Sequence, residues 1–461
     1  MISWFDSGLI YLYLATLFVF ALIGLKQKNG SRENLILAGR RLTLPAFVAT
    51  LVSTWYGGIL GVGEFSYLHG ISNWLVFGVP YYLAAAIFAI FLAKRARSSP
   101  EITIPDRLYK FYGPAASAAG SSILIIVTLP VAYVLMVGVL LKIIFFIPIW
   151  VGIVAGTFFS VAYVMTGGFR AVIWTDVLQF ILMFVGFIIL LVFCFTSYGG
   201  FEYLKINLPD AHFTASGGNS AGYIALWYII ALATLVEPAF YQRCFAAKSE
   251  AVARKGILVS ILFWIIFDFM TTSCGLYARA ILPNLDNPVA AYPSLAMTIL
   301  PAGFLGIFLL SLLATIMSTV DSYMFLTATT ISHDLFWRFK KFDEQKIGQY
   351  TTFGLLISSI GTIGIAIISD SVVDIWHDFG SVGTSALLLP LLTSYWGKYK
   401  FSNRGALLSI ILSSLLTASA LFYPGLSGQS DYLFGIEPIF IGLCTSIMIF
   451  VITRTKKTMF L

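Results

Sequence analysis

Thirteen apolar runs follow one another along the 461 residues, at 7–25, 44–68, 73–93, 117–142, 147–166, 172–197, 221–241, 256–279, 301–331, 349–369, 373–396, 405–423 and 437–453. A helix needs ~20 apolar residues to cross a bilayer, and the longest polar stretch between runs is only about 23 residues. No soluble domain fits between them, so the chain is expected to be one membrane domain over 1–461. The runs read as helices, because a spanning strand would be ~10 residues of strict alternation. The expected fold is therefore all-α and polytopic, with about 13 transmembrane helices. Composition excludes the alternatives. The chain is 59% hydrophobic and 11% charged, whereas soluble domains are about 45–50% apolar and about 25% charged, and disordered chains are more polar still.

The net charge of +7 is read as loop charge facing the cytoplasm, not as a nucleic-acid surface. With the N-terminus outside, the odd-numbered loops and the tail hold 25 of the 28 Lys and Arg residues. They include Lys26, Lys28, Arg107, Arg170, Arg243, Lys341 and Lys346. Only Lys142, Lys205 and Arg279 fall on the other side. A missed span in the middle would scramble this split, so the expected orientation is N-out and C-in, in a plasma membrane, with bacterial inner membrane as the reading. The first run lacks a basic leader and a small-residue cleavage pattern, so it is expected to be retained. Cys194, Cys244, Cys274 and Cys444 are far apart in no CxxC spacing and read as packing thiols.

Two runs are interrupted. The second carries Ser53-Thr54-Trp55-Tyr56-Gly57-Gly58 near its middle, and the seventh carries Glu237-Pro238 near its end. Gly and Pro weaken helices, and backbone groups freed at membrane depth persist only where they line a cavity or bind something. Runs two to six and seven to eleven form two sets of five with opposite topology, and the broken helix comes first in each. That pattern points to a secondary transporter with its site at the breaks. The expected parts are a first flanking helix (1–30), a first inverted repeat (44–197), a second (221–396), and two C-terminal flanking helices with a short cytoplasmic tail (405–461).

Acids inside the membrane are costly, so each is a candidate. Asp176 opens the sixth run. Asp321 lies deep in the ninth, where Ser318, Asp321 and Ser322 share one helix face and Thr315 lies a turn earlier. This face offers only oxygen, which suits a hard cation. Glu64, Glu237 and Asp268 read more as structural acids. His333-Asp334 and His377-Asp378 read as interfacial pairs at membrane edges. No HExxH motif is present, and the one GxSxG match, Gly218 to Gly222, lies at the polar edge before run seven, which argues against an intramembrane enzyme. The chain ends about eight residues after the last run, which argues against a sensor that feeds a soluble signalling domain of ~100 residues or more.

Four segments together resemble the sodium:solute symporter family, which includes bacterial proline, pantothenate, sialic acid and sodium/galactose transporters. They are Gly167-Gly168-Phe169-Arg170-Ala171 through Asp176 with Gln179; Tyr241-Gln242-Arg243-Cys244-Phe245-Ala246-Ala247-Lys248; the helix from Ala314 to Asp334; and Ala38-Gly39-Arg40 with Gly61 and Gly70. The resemblance covers nearly the whole chain. It implies a LeuT-like fold, a 5+5 inverted repeat plus flanking helices, and sodium as the coupling ion. The main sodium ligands it implies are the carbonyls of Leu51, Thr54 and Thr315 and the hydroxyls of Ser318 and Thr319. Asp176, Asp321 and Ser322 map to a second cation or coupling site. Ser53 stands where proline transporters have an Asp, and Asp321 stands where a hydroxyl is usual. The expected activity is sodium-coupled symport of a small polar organic solute, held near Ser53, Trp55, Tyr56, Gly57, Tyr133 and Thr234. Proton coupling is the alternative. Membrane lipid, sodium and solute are the expected partners, with neither nucleic acid nor an obligate protein partner.

Overall fold

The computed structural model describes residues 3–25, 32–340, 346–369, 371–427 and 432–457. Lys26, Lys28 and Lys341 of the loop count lie outside the described residues. Thirteen long apolar helices account for the thirteen runs. They are α1 (Trp4–Leu25), α2 (Leu44–His69), α3 (Trp74–Arg97), α4 (Pro114–Phe145), α5 (Ile149–Met165), α6 (Gly167–Tyr198) and α7 (Ala221–Ala246). The rest are α8 (Glu250–Ile281), α9 (Phe304–Trp337), α10 (Ile347–Ile368), α11 (Val372–Tyr395), α12 (Asn403–Ser427) and α13 (Pro438–Thr453). Among the described residues, nine of them are long and apolar enough to cross a membrane by length and composition; α1, α5, α11 and α13 are shorter or more polar.

Helix α9 is the spine of the bundle. Every residue from Phe308 to Asp334 is buried, as a helix surrounded by other helices requires. Its N-terminus is closed by Asp6 of α1, whose Oδ1 accepts the backbone N–H of Gly303 at 2.7 Å and of Gly306 at 2.8 Å. The first turn of a helix has free N–H groups and a positive dipole end, so a carboxylate there is stabilising. Flanking helix α1 is thereby anchored to the core.

Three helices are broken, and each break has a local cause. In α2 a 3-10 turn at Tyr56–Gly58 separates Leu44–Trp55 from Ile59–His69. In α4 the helix stops at Thr128 because Pro130 cannot donate; Thr327 of α9 donates its hydroxyl to the Thr128 carbonyl at 2.8 Å. In α7 the α-helix Ala221–Ile230 tightens into a 3-10 segment, Ala231–Val236. Glu237 is then extended, and its side chain caps a new helix that begins at Pro238 by accepting the Ala239 N–H at 3.2 Å. Proline at the first helical position has no N–H to lose there, so Glu237-Pro238 reads as stop and restart.

Two features differ from the sequence expectation. The expected separation between runs five and six is a single joint. Helices α5 and α6 run on from each other through Gly168, whose φ of 60° and ψ of −157° only glycine adopts without strain. The tail is also not plain coil. Strand β1 (Tyr399–Phe401) pairs antiparallel with β2 (Arg454–Lys456), in register Tyr399 to Lys456, which clips α13 to the connection after α11.

Candidate functional site

The broken middle of α2 packs directly on α9. A Cβ at Gly57 would lie 2.1 Å from Thr319 Oγ1, so glycine is needed for close approach here, and the helices meet backbone to side chain. Thr319 donates its hydroxyl to the carbonyl of Thr54 at 2.7 Å. Two of the sodium ligands expected from sequence therefore touch each other. One residue away, Ser318 donates to Asp176 Oδ1 at 2.7 Å. Asp176 also accepts a hydrogen bond from Thr50. Thr315 turns its hydroxyl back to the Ser311 carbonyl at 2.7 Å, as helical Thr commonly does.

The main correction concerns Arg243. The sequence reading counts it as a loop cation, but its side chain is 0% exposed. It enters from the restarted half of α7. Its Nη2 reaches Ser322 Oγ at 2.7 Å, Thr54 Oγ1 at 2.8 Å, Thr50 Oγ1 at 3.0 Å and Asp176 Oδ2 at 3.4 Å. A guanidinium thus stands among the oxygens expected to hold a second cation. Burying it is tolerable because a carboxylate and three hydroxyls replace its water. The motif Gln242-Arg243 signals its importance, but depth in the bundle is not legible from loop charge.

Asp321 sits apart from that cation. Its carboxylate accepts from Ser160 Oγ at 2.5 Å and from the Tyr163 hydroxyl. Asp176 and Asp321 therefore belong to two adjoining clusters, where the sequence reading grouped both with Ser322. Thr50, Ser160, Tyr163 and Arg243 are functional candidates that it did not assign.

Beside this polar junction lies a cavity of about 220 Å³. It reaches from the N-terminal ends of α7 and α11 to the breaks in α2, α4 and α7. Trp55, Tyr56, Tyr133 and Thr234 line it as expected. Ser53 and Gly57 do not. Ser53 is fully buried with its hydroxyl on the Ala49 carbonyl at 2.9 Å, and Gly57 faces Thr319. Both lie on the side of α2 turned toward its helical neighbours. Glu237 and Asp268 join the lining. Both Asp268 oxygens are taken, one by the Tyr56 hydroxyl and one by the Tyr82 hydroxyl.

The two His-Asp pairs differ from their interfacial reading in one case. His333 and Asp334 are buried. Asp334 accepts from Thr103 at 2.6 Å and from Arg338 at 3.3 Å, and Arg338 also pairs with Asp106. Arg338 already supplies the positive charge that a metal ion would otherwise bring to Asp106, His333 and Asp334. His377 bridges Asp378 at 3.1 Å and Glu437 at 3.2 Å near the start of α11.

The profile of the sodium:solute symporter family matches residues 35–413. The chain belongs to the sodium:solute symporter family. That family is one of transporters and not of enzymes. This chain is 28% identical to the sodium/pantothenate symporter of Haemophilus influenzae over 54% of each chain, so that match spans about half the relative's length. It is 22% identical to sodium/proline symporter 2 of Staphylococcus saprophyticus over 99% of this chain and 94% of that one. Among solved structures, it resembles a substrate-bound, outward-open, sodium-coupled sialic acid symporter. The TM-score is 0.82 at 16% identity, covering 99% of this chain and 100% of that chain. A nucleobase–cation symport family transporter is more distant, with a TM-score of 0.54 at 11% identity, covering 92% and 96%. The fold is thus LeuT-like.

Proposed function

We propose that this symporter couples entry of sodium to uptake of a small polar organic solute by alternating access. One observation carries the reading: the all-oxygen junction where Thr319 meets Thr54, beside the cavity at the helix breaks. Sodium, as cargo, would be held by the carbonyls of Leu51, Thr54 and Thr315 and the hydroxyls of Ser318 and Thr319. Its arrival replaces the Thr319–Thr54 hydrogen bond with two ion–oxygen contacts, and it draws Ser318 away from Asp176. These ligands come from both α2 and α9. The ion therefore binds only while the two helices are apposed, and this difference in affinity shifts the population. Neutral ligands suit an ion that must also leave.

The cation position at Asp176 and Ser322 is filled by Arg243. We therefore assign one sodium per cycle, with the guanidinium balancing Asp176. The basic loops support an N-out, C-in orientation in a plasma membrane, with lipid against outward side chains such as Trp174, Phe195 and Leu415.

Asp321 favours a second reading, proton coupling, because its partners are hydroxyls and a buried carboxyl with such partners can exist neutral. Solute uptake into proteoliposomes under a sodium gradient alone, and under a proton gradient alone, separates the two. The sodium reading requires uptake in the first and none in the second.

A further inference from the structure

The charges and rings around the cavity narrow the class of solute. Its lining among the described residues contains Glu237 and Asp268 but no Lys, Arg or His. Two aromatic groups face the space. Trp55 lies 5.5 Å from Tyr81 and 5.7 Å from Trp264, ring centre to ring centre. Tyr133 lies 5.5 Å from Tyr323 and 6.3 Å from Trp376. Glu237 stands at the break of α7 and lines the same space. It is half-buried, accepts the Ala239 N–H and stands beside the Tyr323 hydroxyl. Both Asp268 oxygens are taken by tyrosines, whereas Glu237 has one tyrosine beside it, so Glu237 is the carboxylate with more capacity to meet a ligand.

The start of α11, next to this lining, carries mostly the same sign. Glu64 of α2 lies within electrostatic reach of Asp374, which is exposed one residue before the lining residue Ile375. Asp378 and Glu437 flank the same end, and His377 lies between them. Acidic groups clustered beside a cavity concentrate cations. Aromatic faces attract ammonium groups, most strongly where water is excluded. An anionic solute would meet Glu237 with no cation among the lining residues to offset it, so the same features disfavour it.

We propose that the solute carries an ammonium group, held between the Trp55 and Tyr133 aromatic groups with Glu237 as its counter-charge. This rests on the symport reading above. The test uses purified full-length protein in proteoliposomes. Radiolabelled choline, ethanolamine, putrescine and glycine betaine are compared with pantothenate, sialic acid and glucose, with and without a sodium gradient. The expected result is sodium-dependent uptake of at least one ammonium compound and of no purely anionic or neutral one. Glu237→Gln keeps an acceptor for the Ala239 N–H, so the helix cap survives. It should weaken binding of that compound at least tenfold and shift the sodium midpoint less than twofold. Tyr133→Phe, which keeps the ring, should be nearly silent, whereas Tyr133→Leu should weaken binding several-fold. Sodium-driven uptake confined to pantothenate, sialic acid or glucose overturns the ammonium assignment and leaves symport standing. An unchanged affinity in Glu237→Gln also overturns it. Absence of any sodium-dependent uptake or sodium-dependent stabilisation overturns the symport reading itself.

Discussion

Arg243→Met is the most informative single change in the polar junction. It removes a guanidinium that touches Ser322, Thr54, Thr50 and Asp176, all fully or almost fully buried. Asp176 keeps Ser318 and Thr50 as donors but loses its only buried counter-charge among the described residues. Removing one partner of such a buried pair costs ~3–5 kcal/mol, mostly because the remaining charge is stranded. Unfolding in detergent, followed by tryptophan fluorescence in potassium buffer, should show that loss. Two further results are expected. Asp176→Asn added to Arg243→Met should recover much of the stability, because no charge is then stranded. Sodium should also rescue the single variant more than the parent, because the vacated oxygens can accept the ion; saturation at a hundred times Kd contributes ~2.7 kcal/mol. If the double variant falls by the sum of the two single losses, the residues are uncoupled and the tethered-cation reasoning is refuted.

Gly57→Ala puts a methyl 2.1 Å from Thr319 Oγ1, so it should push α2 off α9, cost ~1–3 kcal/mol and weaken sodium binding; an unchanged sodium titration would contradict this. Asp321→Asn separates the coupling readings. Uptake that moves protons in the parent but not in the variant supports proton coupling, whereas sodium-driven uptake unchanged in Asp321→Asn counts against it. For orientation, a single cysteine at Ser216 should be labelled from outside intact cells and one at Lys346 should not; the reverse pattern overturns N-out.

The thirteen helices were legible because lipid forces each span to satisfy its own backbone and to be apolar for its full width. The breaks in α2 and α7 were legible as Gly57-Gly58 and Glu237-Pro238, since few other reasons place those residues at such depth. The joint at Gly168 and the β1–β2 clip were not, because one depends on a single φ and the other on pairing residues about fifty apart. Ser318 stood out in the sequence because it shares a helix face with Asp321 and Ser322, whereas Thr319 was named only through the family resemblance. The donors to Asp176 and Asp321 were not legible, since Thr50, Ser160 and Tyr163 come from other helices. Arg243 illustrates the limit most clearly. A count of loop charges cannot distinguish an arginine at the membrane edge from one turned inward, and the sequence alone carries no depth for a side chain that long. Ser53 was misplaced for the opposite reason: sequence spacing gives the break, while its own helix takes the hydroxyl.

The central claim is that Ser318 and Thr319 hold the coupling ion. A sodium titration of thermal stability, at constant ionic strength against potassium, tests it on purified protein without knowledge of the solute. Each hydrogen-bond-like contact to a charged group is worth ~1.5–3 kcal/mol, so Ser318→Ala and Thr319→Ala should each raise the apparent sodium Kd by roughly ten- to a hundredfold. Thr319→Ser keeps the oxygen and should titrate like the parent. If both alanine variants titrate with the parent's midpoint, these hydroxyls serve only Asp176 and the Thr54 carbonyl as they stand, and the ion is bound elsewhere.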